Sequence, residues 1–128
     1  MKRANRLRRP QQFQRVRRDG RVVSHRLLRL NVAANHRRQS RCGIIVSKQI
    51  GKSVQRNRTR RRVREAVRLF LPSIAPGVDM VFIVRSPDVA DVPFAVLQDT
   101  IQCLLKEANV WRGEAVAAVQ ASIVAGPE

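Results

Sequence analysis

The sequence predicts an α+β fold, a single domain in which helices pack on one face of a small sheet. Three observations carry this. The chain has 128 residues, 44% of them hydrophobic, which is enough for one core and too little for two domains. Two segments, 52–71 and 94–111, repeat apolar residues at helical spacing. Short β-rich runs lie before and between them, bounded by Gly, Pro and Asn.

The elements follow in order. Residues 1–10, MKRANRLRRP, carry five basic residues and read as a mobile basic arm. Gln11 to Arg18 is a short helix with Phe13 and Val16 on one face, ended by the Asp19-Gly20 turn. Val22 to Ala33 is a strand, or two if its first part splits off. Within it Leu28, Leu30 and Val32 alternate with Arg29 and Asn31. Asn35 to Ser40 is a polar loop. Cys42 to Val46 is a further strand, expected to form a hairpin with the preceding one, and Ser47 to Gly51 ends it.

Lys52 to Leu71 is the clearest helix. Val63, Ala66, Val67 and Phe70 fall on one core-facing stripe, with Arg60, Arg64 and Arg68 as a flanking row. Arg58, Arg61, Arg62 and Glu65 cover the far side, where Glu65, four residues after Arg61, relieves part of the repulsion. Pro72 stops the helix and Ala75-Pro76-Gly77 turns the chain into the apolar strand Val78 to Val84. The long connection makes Cys42–Val46 and Val78–Val84 parallel neighbours. Ser86 to Pro93 is a loop. Phe94 to Trp111 is the last helix, with Leu97, Ile101, Leu104, Leu105 and Ala108 at helical spacing. Residues 112–128 read as a loosely attached or disordered tail, which leaves 1–111 as the domain.

Charge is the strongest functional signal. The net charge is +17, and it is segregated. Residues 1–68 hold 23 basic and two acidic residues; residues 69–128 hold three basic and seven acidic. A half this basic repels itself unless a polyanion neutralises it, and nucleic acid is the partner that fits. Only Lys2, Lys48, Lys52 and Lys106 are lysine; guanidinium binds phosphate bidentately and stacks on bases. The basic half lacks the long apolar face of a membrane-surface protein, and no run of 18 apolar residues spans a bilayer.

Catalysis by the protein alone is poorly supported. His25 and His36 lie in polar, basic stretches, and no Ser/His/Asp or Cys/His arrangement is suggested. No Gly-rich phosphate loop occurs. Asp79 reads as a residue that ties down a turn. Cys42 and Cys103 fit no metal spacing and read as small apolar residues of a reduced, cytosolic protein.

The sharp feature is Ser47 to Arg68, SKQIGKSVQRNRTRRRVREAVR. One helix carries Arg56, Arg58, Arg60, Arg61, Arg62, Arg64 and Arg68 against a single Glu65. Asn57 among them can pair with a 2′-OH or a base edge, and Lys48 and Lys52 flank the helix start. A solvated charged face usually mixes both signs.

This run resembles the signature of the ribonuclease P protein family: S-K, a Gly, then R-N-R opening a basic helix that ends R-E-A-hydrophobic-R. Ser47, Lys48, Gly51, Arg56, Asn57, Arg58, Arg61, Arg62, Arg64, Glu65, Ala66 and Arg68 match. Phe13, Val16 and Gly20 resemble the family's first helix and turn, and DMVFIVR resembles its last strand, ending in Arg85. The resemblance spans Arg6 to Leu105. It implies an α-β-β-β-α-β-α order and a left-handed βαβ crossover, against a rule that favours the right hand in about 98% of cases.

The resemblance also implies a function. The chain would be the protein subunit of an endoribonuclease whose RNA subunit is the catalyst and removes the 5′ leader of precursor tRNA. The RNA-binding set is Lys48, Lys52, Arg56, Asn57, Arg58, Arg60, Arg61, Arg62, Arg64 and Arg68. The leader cleft, between the sheet and the first helix, takes Phe13, Arg17, Leu28, Arg29, Asn31, Lys48 and Arg85. No protein residue is catalytic or holds a metal; Mg2+ acts with the RNA subunit. One monomer binds each RNA, in the cytoplasm and away from membranes. Arg17 stands where the family often has an aromatic, and the chain has no Tyr, so base stacking in the cleft is expected to be weaker and guanidinium stacking or phosphate contact stronger. A structural ribosomal RNA-binding protein is the alternative. A DNA-architectural protein would need a dimer or apolar wedges at a loop tip, and neither is evident.

Overall fold

The computed structural model describes residues 2–112, and the element order is α1 (Pro10–Asp19), β1 (Arg21–Ser24), β2 (Leu28–Ala34), β3 (Arg41–Ile45), α2 (Ser53–Phe70), β4 (Val78–Val84) and α3 (Phe94–Glu107). This is the α-β-β-β-α-β-α order. The tail beyond Arg112 lies outside the described residues.

Local chemistry sets the element ends. Pro10 is preset for the first turn of α1, and the Gln12 Oε1 accepts from the Arg8 and Arg9 N–H groups at 2.8 and 3.0 Å. Gln55 does the same for α2, accepting from the Lys52 N–H at 3.0 Å. The segment expected as one strand splits into β1 and β2, a hairpin pairing Arg21 with Val32 and Ser24 with Arg29. The last helix ends at Glu107, four residues short of the expected limit. Asn109 takes a left-handed φ of 61°, and the Val110 N–H returns to the Leu105 carbonyl at 3.0 Å. This is a Schellman stop, with Asn in the role that Gly usually fills.

The sheet order is β1-β2-β4-β3. β4 pairs antiparallel with β2 and parallel with β3. The expected hairpin between β2 and β3 is therefore wrong. β4, the most apolar strand, takes the central place and separates them, because buried strands on both sides satisfy its peptide groups.

The hand of the β3–α2–β4 crossover follows from chirality. Cys42 packs in the core cluster with Val63, Ala66 and Val67 of α2, while its carbonyl accepts from the Leu7 N–H at 2.9 Å on the outer sheet edge. An L-residue in a strand running upward, side chain toward the viewer, points its own N–H and C=O to the right. Seen from α2, the outer edge is thus on the right and β4 on the left. A connection advancing leftward in front of the sheet is left-handed.

The main core lies between the sheet and α2 with α3. It holds Leu28, Leu30, Val32, Met80, Phe82, Val63, Val67, Leu97, Ile101 and Leu104, none more than 3% exposed. Phe70 is half-buried, edge-to-face on Trp111 with centroids 5.1 Å apart. The helices do not all share this face, as the sequence reading expected. α1 crosses the opposite face, where Val16 and Phe13 pack with Leu7, Ala33 and Val81. The mobile arm is also corrected: Leu7 is buried, Arg6 bridges to Cys42, and the Asn5 amide donates to the Ser40 carbonyl at 2.9 Å.

Asp79 joins these pieces. It is fully buried on the α1 face of β4. It accepts from Arg15 at 2.9 Å, from Arg41 at 2.8 and 2.7 Å, and from Asn35 at 2.9 Å. Burial pushes its pKa up, but the hydrogen bonds from Arg41, Asn35 and Arg15 outweigh this and hold the carboxyl below the usual aspartate value. A depressed folded-state pKa contributes stability above the unfolded value of about 3.9 and loses it as pH falls through the folded value. Asp79→Asn is expected to lower the unfolding free energy by about 3–5 kcal/mol at neutral pH and to flatten the acid limb of the stability curve. Urea titrations at several pH values measure both.

Candidate nucleic-acid interface

α2 presents its arginines in three different settings. Arg58, Arg61 and Arg68 are exposed; Arg56, Arg60, Arg62 and Arg64 are half-buried. Glu65 pairs with Arg68 at 2.6 Å rather than with Arg61, and this holds its carboxyl below the usual glutamate value. Arg56 donates to the Ser53 hydroxyl at 3.1 Å, and Arg60 to the Asn57 side-chain Oδ1 at 3.0 Å. That bond leaves the Asn57 NH2 donors outward. Lys48 and Lys52 are exposed before the helix.

Arg62 departs from its expected outward position. Its guanidinium donates to the Val89 carbonyl at 2.6 Å and to the Val92 carbonyl, so it ties the loop before α3 to α2. It is a fastener within the fold rather than a free cation.

Arg64 meets Arg6 of the arm across a recess whose walls also include Phe13, Cys42 and Gly43. Burial first, then Arg6 and Arg60, hold the Arg64 guanidinium below the usual arginine value. Among the described residues no acidic side chain pairs with Arg6 or Arg64, and such an arrangement attracts an anion. Arg6 was missed because nothing in the sequence links it to a residue 58 positions away. The Cys42 thiol is fully buried and pushed up to about 12 by that burial, so it is no thiolate nucleophile.

The α1 side of the sheet is a second concavity. Strand alternation places Arg29, Asn31 and Ala33 of β2 here, beside Ile83, Val81 and Asp79 of β4 and Ile45, Gly43 and Arg41 of β3. α1 covers the Asp79 end. Phe13 lies over Gly43 so closely that a Cβ there would sit 2.2 Å from its ring. The row Arg29, Ile83, Ile45 stays half-exposed beyond it. A groove of about 430 Å3 is lined by Gln14, Arg17, Arg18, Val22, Arg29 and Asn31. Asn31 is 4% exposed with its Oδ1 unpaired, and the Arg29 Nε is likewise buried without a partner.

The structure therefore brings Arg17, Arg29 and Asn31 together, with Phe13 at the edge of the neighbouring recess. Arg85 is exposed at the end of β4 and donates to the His25 carbonyl at 3.1 Å. Leu28 does not belong: it is fully buried on the other face, under α2 and α3. The alternation that puts Arg29 and Asn31 in the groove excludes Leu28. The same parity nominates Ile45 and Ile83, which the cleft set expected from the sequence does not include. Among the described residues no three His, Cys, Asp or Glu side chains form a metal-binding group, and no helix is long and apolar enough to cross a membrane.

Comparison with known proteins agrees with this geometry. A family model described as Ribonuclease P matches residues 1–109. A Ribonuclease P protein component from Roseiflexus castenholzii is 61% identical over 113 residues, covering 88% of this chain and 93% of its own. The Staphylococcus aureus RNase P protein superposes with a TM-score of 0.75 at 29% identity, over 84% of this chain and 97% of its own. A Staphylococcus aureus RNase P protein mutant with defective mRNA degradation activity gives 0.76 at 29% identity, over 84% and 91%.

Neighbouring arginines on α2 should behave oppositely in a stability assay. Arg62→Ala leaves two loop carbonyls without their donor and is expected to cost about 1–3 kcal/mol. Arg61→Ala, on the exposed side, is expected to stay within about 0.5 kcal/mol of the parent. Urea denaturation of the two variants makes the comparison.

Proposed function

The chain belongs to the ribonuclease P protein family, subunits of the endoribonuclease that matures the 5′ end of tRNA, and on that premise we propose how it binds its RNAs. The outer side of α2 docks on the catalytic RNA subunit, and the groove under α1 holds the 5′ leader of precursor tRNA. The observation that carries this reading is the charge on α2: seven arginines against one glutamate already paired with Arg68. Arg58 and Arg61 make phosphate contacts, Asn57 offers its amide to a 2′-OH or base edge, and Lys48 and Lys52 extend the surface. Arg6 with Arg64 takes a further phosphate.

The leader lies along Arg17, Arg29 and Asn31 over the Ile45–Ile83 row, and Phe13 offers one aromatic surface. Guanidinium groups stack on bases and bind phosphate where aromatics are absent. The unpaired Asn31 Oδ1 and Arg29 Nε supply an acceptor and a donor. The chemistry belongs to the RNA subunit and its Mg2+. The protein acts as a cytoplasmic monomer, one per RNA. It neutralises phosphates that otherwise repel, so less magnesium is needed. A structural ribosomal role predicts no such effect in reconstitution.

Binding to the catalytic RNA is expected to be strongly salt-dependent. With on the order of six to ten phosphate contacts, affinity falls about 10³- to 10⁵-fold between 50 and 200 mM salt; a filter-binding change under tenfold would falsify the reading. Phe13→Ala is expected to weaken leader-bearing precursor about tenfold more than mature tRNA. Its stability cost should stay below the roughly 3–5 kcal/mol of a fully buried Phe; equal loss for both RNAs assigns Phe13 to the fold instead. The chain freed of RNA is expected not to cleave precursor tRNA with Mg2+. Because one Staphylococcus aureus relative is described by a defect in mRNA degradation, an mRNA substrate belongs in the same assay, and cleavage that survives nuclease controls sinks the assignment of chemistry to RNA alone.

A further inference from the structure

Thr59 lies on the buried side of α2 with 0% exposure, and its Oγ1 has no hydrogen-bond partner. A helical threonine commonly returns its hydroxyl to the carbonyl four residues back. Here it does not, and an unmatched buried hydroxyl costs stability. Thr59 forms part of the wall of a recess of about 110 Å3 between the first half of α2 and the turn Pro87–Ala90.

The recess is held open by the fold. Arg62 fastens Val89 and Val92, the Val89 side chain is fully buried, and the Ser86 hydroxyl accepts from the Asp88 N–H at 3.1 Å. Ile50, Pro87 and Ala90 give apolar walls, and Arg58 and Asp91 give polar ones. Arg58 and Asp91 form no ion pair with each other or with any other described residue. The walls thus present a donor-only group, an acceptor-only group and a hydroxyl that does both, between apolar surfaces.

That set suits a planar ring with donors and acceptors on its edge. The volume is well below the roughly 300–1,000 Å3 of ordinary small-molecule pockets, which leaves room for one ring system. RNA bases in loops and bulges can be splayed out and read on their edges, whereas paired bases cannot enter a recess. We infer that this recess takes one unstacked nucleobase of the catalytic RNA, its edge read by the Thr59 hydroxyl, Arg58 and Asp91. The inference rests on the assignment of α2 to that RNA.

Thr59→Val keeps the shape and removes the hydroxyl. The full chain carrying it is expected to bind the catalytic RNA about tenfold more weakly, with a melting temperature equal to or above the parent's. Ala90→Leu, which fills the recess from a half-exposed position, is expected to give the same loss. Nucleoside 5′-monophosphates added to the chain should shift the Thr59 and Ala90 amide resonances, and inorganic phosphate should not. Arg61→Gln, outside the recess, reports on α2 separately. If Arg61→Gln weakens binding while Thr59→Val and Ala90→Leu bind like the parent, the recess holds only solvent and the inference is overturned. If Arg61→Gln also binds like the parent, the assignment of α2 fails and the inference fails with it.

Discussion

One buried carboxylate organises the α1 side of the sheet. Asp79 accepts from Arg15 of α1, Arg41 of β3 and Asn35 of the β2–β3 loop. It is the only fully buried acid among the described residues. α1 has only Val16 and Phe13 as substantial apolar anchors on the sheet, so the Arg15–Asp79 pair fixes the angle at which it crosses. That angle sets the width of the groove beside Arg29 and Asn31. A buried ion pair is a poor source of stability compared with apolar packing. Here it provides position: the carboxylate lets two arginines lie against the sheet without repelling each other.

The elements most legible in the sequence were those whose periodicity is long and unbroken. The α2 stripe of Val63, Ala66 and Val67 is buried as its spacing requires, and the arginine-rich signature falls where the family model matches. What stayed hidden depends on non-local placement. The insertion of β4 between β2 and β3 leaves no trace in either strand's own pattern. The docking of the arm needs Leu7 to find Cys42, and local composition showed only its charge. Leu28 was drawn into the groove by resemblance, although the alternation with Arg29 already assigned it to the opposite face. Arg62 shows the limit of a charge count. Its spacing matches its neighbours, and only the position of the Val89–Val92 loop reveals that its donors are occupied.

Segregated charge shapes the free protein as well as its complexes. The acidic residues of the second half among those described, Asp79, Asp88, Asp91, Asp99 and Glu107, are too few to cancel the charge of the basic half. The free domain therefore carries self-repulsion that opposes its compact state. Any polyanion that binds only the folded form adds stability by mass action. Measured stability is then a property of the buffer anion as well as of the chain.

The docked arm has a further consequence, for solubility. A sheet edge with unpaired peptide groups is a template for a second copy of itself. β1 guards one edge by being four residues long and largely exposed. β3 guards the other only because the arm lies along it, with Arg6 bridged to Cys42 and Leu7 capping the apolar surface beneath. Material trimmed or fused within residues 2–9 would uncover a hydrophobic strand edge, and self-association in storage would follow from geometry rather than from any loss of core stability.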